Sequence, residues 1–135
     1  MNYEILNRPR RIRDHPVLNS MMTELLLSKS DLVMPVFVTE SDEKPVPIPS
    51  MPEIFRWPVD LLAERIEEWK TLGIRAFALF PHIDESKKDA RGREILNSDS
   101  LVYQAVRQIK ESVDDVALIA DLALDPYTTH GQDGI

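Results

Sequence analysis

Three carboxylates, a histidine, a tyrosine and two threonines crowd the stretch from Asp121 to Asp133. They follow the apolar run Val116 to Ala120, which reads as a buried strand. Strand ends are where α/β folds assemble chemistry. Asp121, Asp125 and Asp133 carry oxygen donors that suit a hard cation or an ammonium group. The competing reading is that they are solvated loop acids or helix caps. Asp121 has the stronger claim because it ends the strand. His130, beside Gly131, fits a ligand, a proton shuttle or a substrate contact, and equally a turn histidine bonded to backbone. Tyr127, Thr128 and Thr129 offer hydroxyls to a ligand or stitch the loop. Gly131 and Gly134 permit positive φ or close approach.

Two further groups invite chemistry. His82 follows Phe80 and Pro81 at the end of a second apolar run, on the same sheet edge as Asp121, although a loop histidine explains it as well. Arg8, Arg10, Arg11 and Arg13 form a basic cluster that suits phosphate or, better, an acidic surface on another subunit. No glycine-rich phosphate loop, Ser-His-Asp order or His-Glu-x-x-His helix is present. No lysine falls at a buried strand end, so no Schiff-base nucleophile can be nominated.

The elements that must position these groups are legible in the apolar spacing. Residues 1 to 14 read as an extended arm. Pro16 to Leu27 reads as a short helix with Val17, Leu18, Met21, Met22, Leu25 and Leu26 on one face. Leu32 to Val38 reads as a strand buried on both faces, with Pro35 placing it at an edge or at a barrel irregularity. Residues 39 to 58, with Pro45, Pro47, Pro49, Pro52 and Pro58, read as a stiff surface loop. Pro58 opens a helix to about Thr71, with Leu62, Ile66 and Trp69 inward and Gly73 as its stop. Ile74 to Phe80 is a second strand and residues 84 to 97 a charged loop. Asn97 or Ser98 caps a helix that buries Leu101, Val102, Ala105, Val106 and Ile109. Val116 to Ala120 is the third strand. Strand, helix, strand, helix, strand implies parallel pairing with right-handed crossovers.

Composition sets outer limits. The chain has 135 residues, 43% hydrophobic, with a net charge of −7 and no cysteine. A net negative charge argues against nucleic acid or an anionic membrane as a general partner. The absence of thiols excludes disulfides and thiolate metal sites and fits a cytoplasmic location. No signal peptide and no membrane-spanning run is evident.

The run Asp121-Leu-Ala-Leu-Asp-Pro-Tyr-Thr-Thr-His-Gly-Gln-Asp-Gly134 closely resembles the metal-site region of the porphobilinogen synthase (5-aminolevulinate dehydratase) family. Arg8-Pro-Arg-Arg-Ile-Arg13 resembles that family's arm motif, and Asp31-Leu-Val-Met-Pro-Val-Phe-Val38 its first barrel strand. Pro47-Ile-Pro-Ser-Met-Pro52 and Gly73-Ile-Arg-Ala-Phe-Ala-Leu-Phe-Pro81 match it too, in the right order. The resemblance implies a (β/α)8 TIM barrel with an N-terminal arm embracing a neighbouring subunit in a homo-oligomer, an octamer in the family. It implies condensation of two 5-aminolevulinate molecules to porphobilinogen, a lyase step on the route to haem and other tetrapyrroles. In zinc-dependent members three cysteines stand where this chain has Ala123, Asp125 and Asp133. The resemblance is therefore to the branch without catalytic zinc, and magnesium or a monovalent cation suits the oxygen donors better. Asp121 would line the active-site floor, with Asp125 and Asp133 beside the second substrate's amine or a cation.

The family's Schiff-base lysines lie on later strands, and a full barrel takes about 250 residues. The expectation is thus an α/β chain, with an arm over residues 1–30 and the first three β/α units of an incomplete barrel over 31–135. An open barrel edge exposes apolar strand surface and invites aggregation. Such a chain is expected to be inactive alone. Two other readings stay open: a non-catalytic module for assembly with other chains, and a small α/β metal- or ligand-binding domain that unfolds cooperatively as a monomer.

Overall fold

The computed structural model describes residues 10–40, 43–121 and 123–133. A five-stranded sheet runs in the order β2-β3-β1-β4-β5. Its strands are β1 (Val33–Thr39), β2 (Val46–Pro47), β3 (Phe55–Pro58), β4 (Ala76–His82) and β5 (Ala117–Ala120). β1, β4 and β5 are parallel, with Val33 opposite Ala76 and Ala76 opposite Ala117. This is the parallel order that the alternation of strands and helices predicts. α3 (Val59–Thr71) and α4 (Leu101–Ser112) pack side by side on one face.

Strand alternation decides what each face buries. Val36, Val38, Phe77 and Leu79 point towards the helices and join Leu62, Ile66, Leu101 and Ile109 in one core. The opposite parity carries Val33, Phe37, Ala78, Phe80 and Ile119. There Val33 and Ile119 are each 49% exposed. The unbroken apolar runs suggest strands covered on both sides, yet among the described residues only one side is covered. β5 shows the difference most: Val116 is buried just before it, but Ala117, Ile119 and Ala120 are exposed. The expected buried third strand is an edge strand, because it pairs with β4 alone among the described residues.

Pro35 is accommodated by the same geometry. β3 pairs only with Phe37 to Thr39, so the first half of β1 has β4 on one side and no described strand on the other. A missing amide there breaks no ladder on the unpaired side. That unpaired half forms an apolar groove of about 260 Å³ with Ile54, Phe55, Trp57 and Trp69. The proline-rich stretch 39–58 is more than a loop, since it contains β2 and β3, paired antiparallel to each other. Pro58 ends β3 and caps α3 rather than starting it.

α3 stops as its sequence predicts. Gly73 has φ of +95°. Its amide donates to the Lys70 carbonyl, and the Ile74 amide reaches back to Trp69, at 2.9 and 3.3 Å. These are the two bonds of a Schellman stop, which needs a residue free to turn left-handed. On the wet side Arg65 pairs with Glu68, and its guanidinium stacks 4.8 Å from the ring centres of both Trp57 and Trp69. α4 begins later than expected. Its cap is Ser100, whose buried hydroxyl makes no capping bond, while the Asn97 side chain accepts from the Asp99 amide in the preceding turn.

The arm also departs from expectation. Residues 1–9, with Arg8, lie outside the described residues, as does the Arg11 side chain. Arg10 and Arg13 are exposed, and Arg11–Asp14 forms a short helix (α1) rather than extended chain. α2 covers Pro16–Met21, only the first half of the expected helix. Its apolar stripe buries nothing, and Leu25 and Leu26 are 89% and 86% exposed. Short helices are marginal without a packing partner.

Candidate active-site edge of the sheet

Because β1, β4 and β5 are parallel, their C-terminal ends share one edge. Thr39 and Glu40, His82 and Asp84, and Asp121 stand along it. His82 is the last residue of β4 rather than part of the loop that follows. A polar cleft of about 330 Å³ lies between the first two strand ends, lined by Thr39, Glu40, His82, Asp84, Ser86 and Lys87. Lys87 Nζ contacts Glu40 Oε2 at 2.6 Å, which raises the lysine above its ordinary value. Burial, then Arg56 and Lys88, lowers His82. The Ser86 hydroxyl and amide lower Asp84. The cleft therefore favours a neutral imidazole beside an ionised carboxylate.

The carboxylate-rich loop follows β5. Asp121 is exposed at the strand's end, and its Oδ1 accepts from the Ala123 amide. Asp125 opens a single 3-10 turn through Tyr127. Asp133 returns to the start of the loop, where its Oδ1 accepts from the Leu124 amide at 3.2 Å. Thr128 is buried, and its hydroxyl donates to the Gln132 carbonyl at 2.8 Å. The threonine thus stitches the loop. Asp125 and Asp133, both exposed, belong to one closed loop, and Asp121 stands at its root. Gly134 lies outside the described residues.

No group of three or more His, Cys, Asp or Glu side chains able to hold a metal forms among the described residues.

The sequence gives little sign of how this loop is fastened. Residues 84–97, expected to be a plain charged loop, form two 3-10 turns, Glu85–Lys87 and Arg93–Leu96. Between those turns Asp89 forms a parallel bridge with Thr128. The Asp89 amide donates to the Tyr127 carbonyl at 3.3 Å, and the Thr129 amide donates to the Asp89 carbonyl at 3.1 Å. His130 contacts the Ala90 carbonyl through Nε2 at 3.2 Å, a bond that needs the proton on that nitrogen. The backbone-bonded reading of His130 is the one the geometry adopts. Tyr127 is 1% exposed, and its hydroxyl has no hydrogen-bond partner. Burial, with smaller effects of Tyr103 and Glu94, pushes that hydroxyl up to about 12. The hydroxyl therefore keeps its proton near neutral pH, and the buried ring anchors the loop.

A family profile for delta-aminolevulinic acid dehydratase matches residues 6–135. The dehydratase of Chlamydia pneumoniae is 43% identical over 128 residues, covering 95% of this chain and 39% of the relative. That of Bradyrhizobium diazoefficiens is 40% identical over 128 residues, covering 95% of this chain and 36% of its own length. A crystal structure of the Toxoplasma gondii enzyme, in complex with the reaction product porphobilinogen, superimposes with a TM-score of 0.86 at 40% identity. It covers 97% of this chain and 37% of its own. The chain thus spans less than two fifths of the length of these proteins.

Proposed function

Since the chain belongs to the delta-aminolevulinic acid dehydratase family, we propose that it supplies the N-terminal portion of a porphobilinogen synthase. The enzyme would condense two 5-aminolevulinate molecules, with catalysis passing through lysines on strands beyond those described here. The observation that carries this reading is the carboxylate loop after β5, at the C-terminal edge of a parallel sheet. That is where barrel enzymes place their chemistry. Asp121 would line the floor beneath the substrates. Asp125 and Asp133 would face the second substrate's amine or a magnesium or monovalent cation, with no catalytic zinc.

The arm, proposed as residues 1–30 ahead of a partial barrel over 31–135, would join subunits. Its exposed leucines and methionines support this, since an apolar patch of that kind suits a protein contact. No helix among the described residues is long and apolar enough to cross a membrane. The absence of cysteine supports a reducing compartment such as the cytoplasm.

The test uses the full-length product of the reading frame that carries this chain. It should form porphobilinogen from 5-aminolevulinate, and Asp121→Asn should lower kcat on the order of 10²-fold. Chelation followed by magnesium titration should change activity in the parent and less in an Asp125→Asn, Asp133→Asn double variant. Absence of product from the full-length parent would remove the reading.

A further inference from the structure

We propose that the 84–97 loop is the positioning device of the carboxylate loop, with Asp89 as its central positioning residue. This inference rests on the proposed dehydratase reading only for its consequence in catalysis; the positioning itself stands on geometry.

β5 cannot hold the carboxylate loop by itself. It is a four-residue edge strand with an exposed surface. The loop after it closes on itself through Asp133 to Leu124 and Thr128 to Gln132, but those bonds fix only its internal shape. Its placement on the fold comes from the buried Tyr127, from packing against the Arg93–Leu96 turn, and from hydrogen bonds to one short stretch, Asp89 and Ala90. The Asp89 backbone takes both bonds of the bridge, one to Tyr127 and one from Thr129. The Ala90 carbonyl takes His130.

The Asp89 carboxylate in turn bridges the backbone of that stretch. Oδ1 accepts from the Arg91 amide at 2.7 Å and the Arg93 amide at 3.2 Å, and Oδ2 accepts from Arg93 Nε at 2.6 Å. One side chain thus shapes the turn whose backbone grips the next loop. Gly92 completes it with φ of +61°. A Cβ there would lie 3.4 Å from both Thr128 Cγ2 and Tyr127 Cβ. That is ordinary van der Waals contact, so the two loops meet closely, and what a side chain at Gly92 would strain is the left-handed backbone. Neither Asp89 nor Gly92 needs to touch substrate to matter. Groups held within about 0.5 Å of productive geometry depend on such support, and a 1 Å error costs on the order of 10²-fold in rate.

Asp89→Asn tests this at two levels. In the 135-residue chain, amide hydrogen exchange at Thr129 and at residue 89 reads the two bonds of the bridge. We expect protection at both to fall about 10-fold or more while Phe77 and Leu79 in β4 keep theirs, as local opening predicts. In the full-length enzyme we expect kcat to fall about 10- to 100-fold with KM changed less than about threefold. Loss of folded protein alone would reduce the active fraction and leave kcat per active site unchanged. Gly92→Ala strains the same turn with the carboxylate intact, so it replaces Asp89→Asn if that variant also loses β4 protection. Unchanged exchange at Thr129 and at residue 89 in a folded variant would overturn the positioning role. An active parent whose variants keep full kcat would overturn its catalytic consequence. An inactive parent would instead remove the dehydratase reading and leave the exchange result to decide the positioning.

Discussion

Asp89 is exposed to acid titration in a way that reports its bonds. Hydrogen bonds from Arg93 and then Arg91 lower its carboxyl from 3.8 to about 2. A folded value below the unfolded one adds stability that is complete above about pH 4 and is lost as pH falls through about 2. The Asp89→Asn variant should therefore lose less stability than the parent between pH 4 and pH 2, measured by urea midpoints at both ends. An equal drop in the two proteins would contradict the bonding described. Gly73 makes a second residue-scale test. A side chain at φ +95° is strained, and its Cβ would lie 2.7 Å from Lys29 Cδ. Gly73→Ala should cost about 1–2 kcal/mol in urea unfolding. The places of Asp121 at the end of β5 and of Asp125 and Asp133 on the loop after it are legible from sequence, because the apolar run that precedes them is local. The role of Asp89 is not, because its backbone partners Tyr127 and Thr129 are some forty residues away and it sits among other charged residues that look like any wet loop.

At the scale of elements, α3 and α4 behave as their periodicity predicts. Leu62, Ile66 and Trp69 of α3 and Leu101, Val102, Ala105 and Ile109 of α4 are buried, while Val106, expected with them, is half-buried against the core. Ile66→Ala should cost about 2–5 kcal/mol, read by the shift in denaturant midpoint, because the site has no exposed surface to relax into. β2 and β3 escape a sequence reading for a physical reason. They are two and four residues long and contain prolines, so neither length nor propensity marks them. α2 fails differently. Its apolar spacing is real, but periodicity records only that a face is apolar and not that a partner is present. If another subunit is that partner, deleting residues 1–30 from the full-length enzyme should lower its mass in light scattering. An unchanged mass would place the contact elsewhere.

For the whole molecule, the same distinction governs the sheet. The apolar runs of β1 and β4 correctly indicate parallel strands, and the side opposite the helices remains uncovered among the described residues. We expect the isolated chain to form no porphobilinogen and to self-associate as its concentration rises, since an apolar sheet face and an unpaired edge attract other copies. Product formation by the purified 135-residue chain would contradict the first expectation, and a constant monomeric mass the second.

The groove beside β1 has a practical consequence. Trp57 and Trp69 are the chain's two tryptophans. Their ring centres are 6.0 Å apart with the planes nearly perpendicular, and both border the unpaired half of β1. Two indoles this close share their excited states, so the chain carries its own optical reporter. Near-ultraviolet circular dichroism and fluorescence should register any polypeptide that fills that edge, without a label and without turnover.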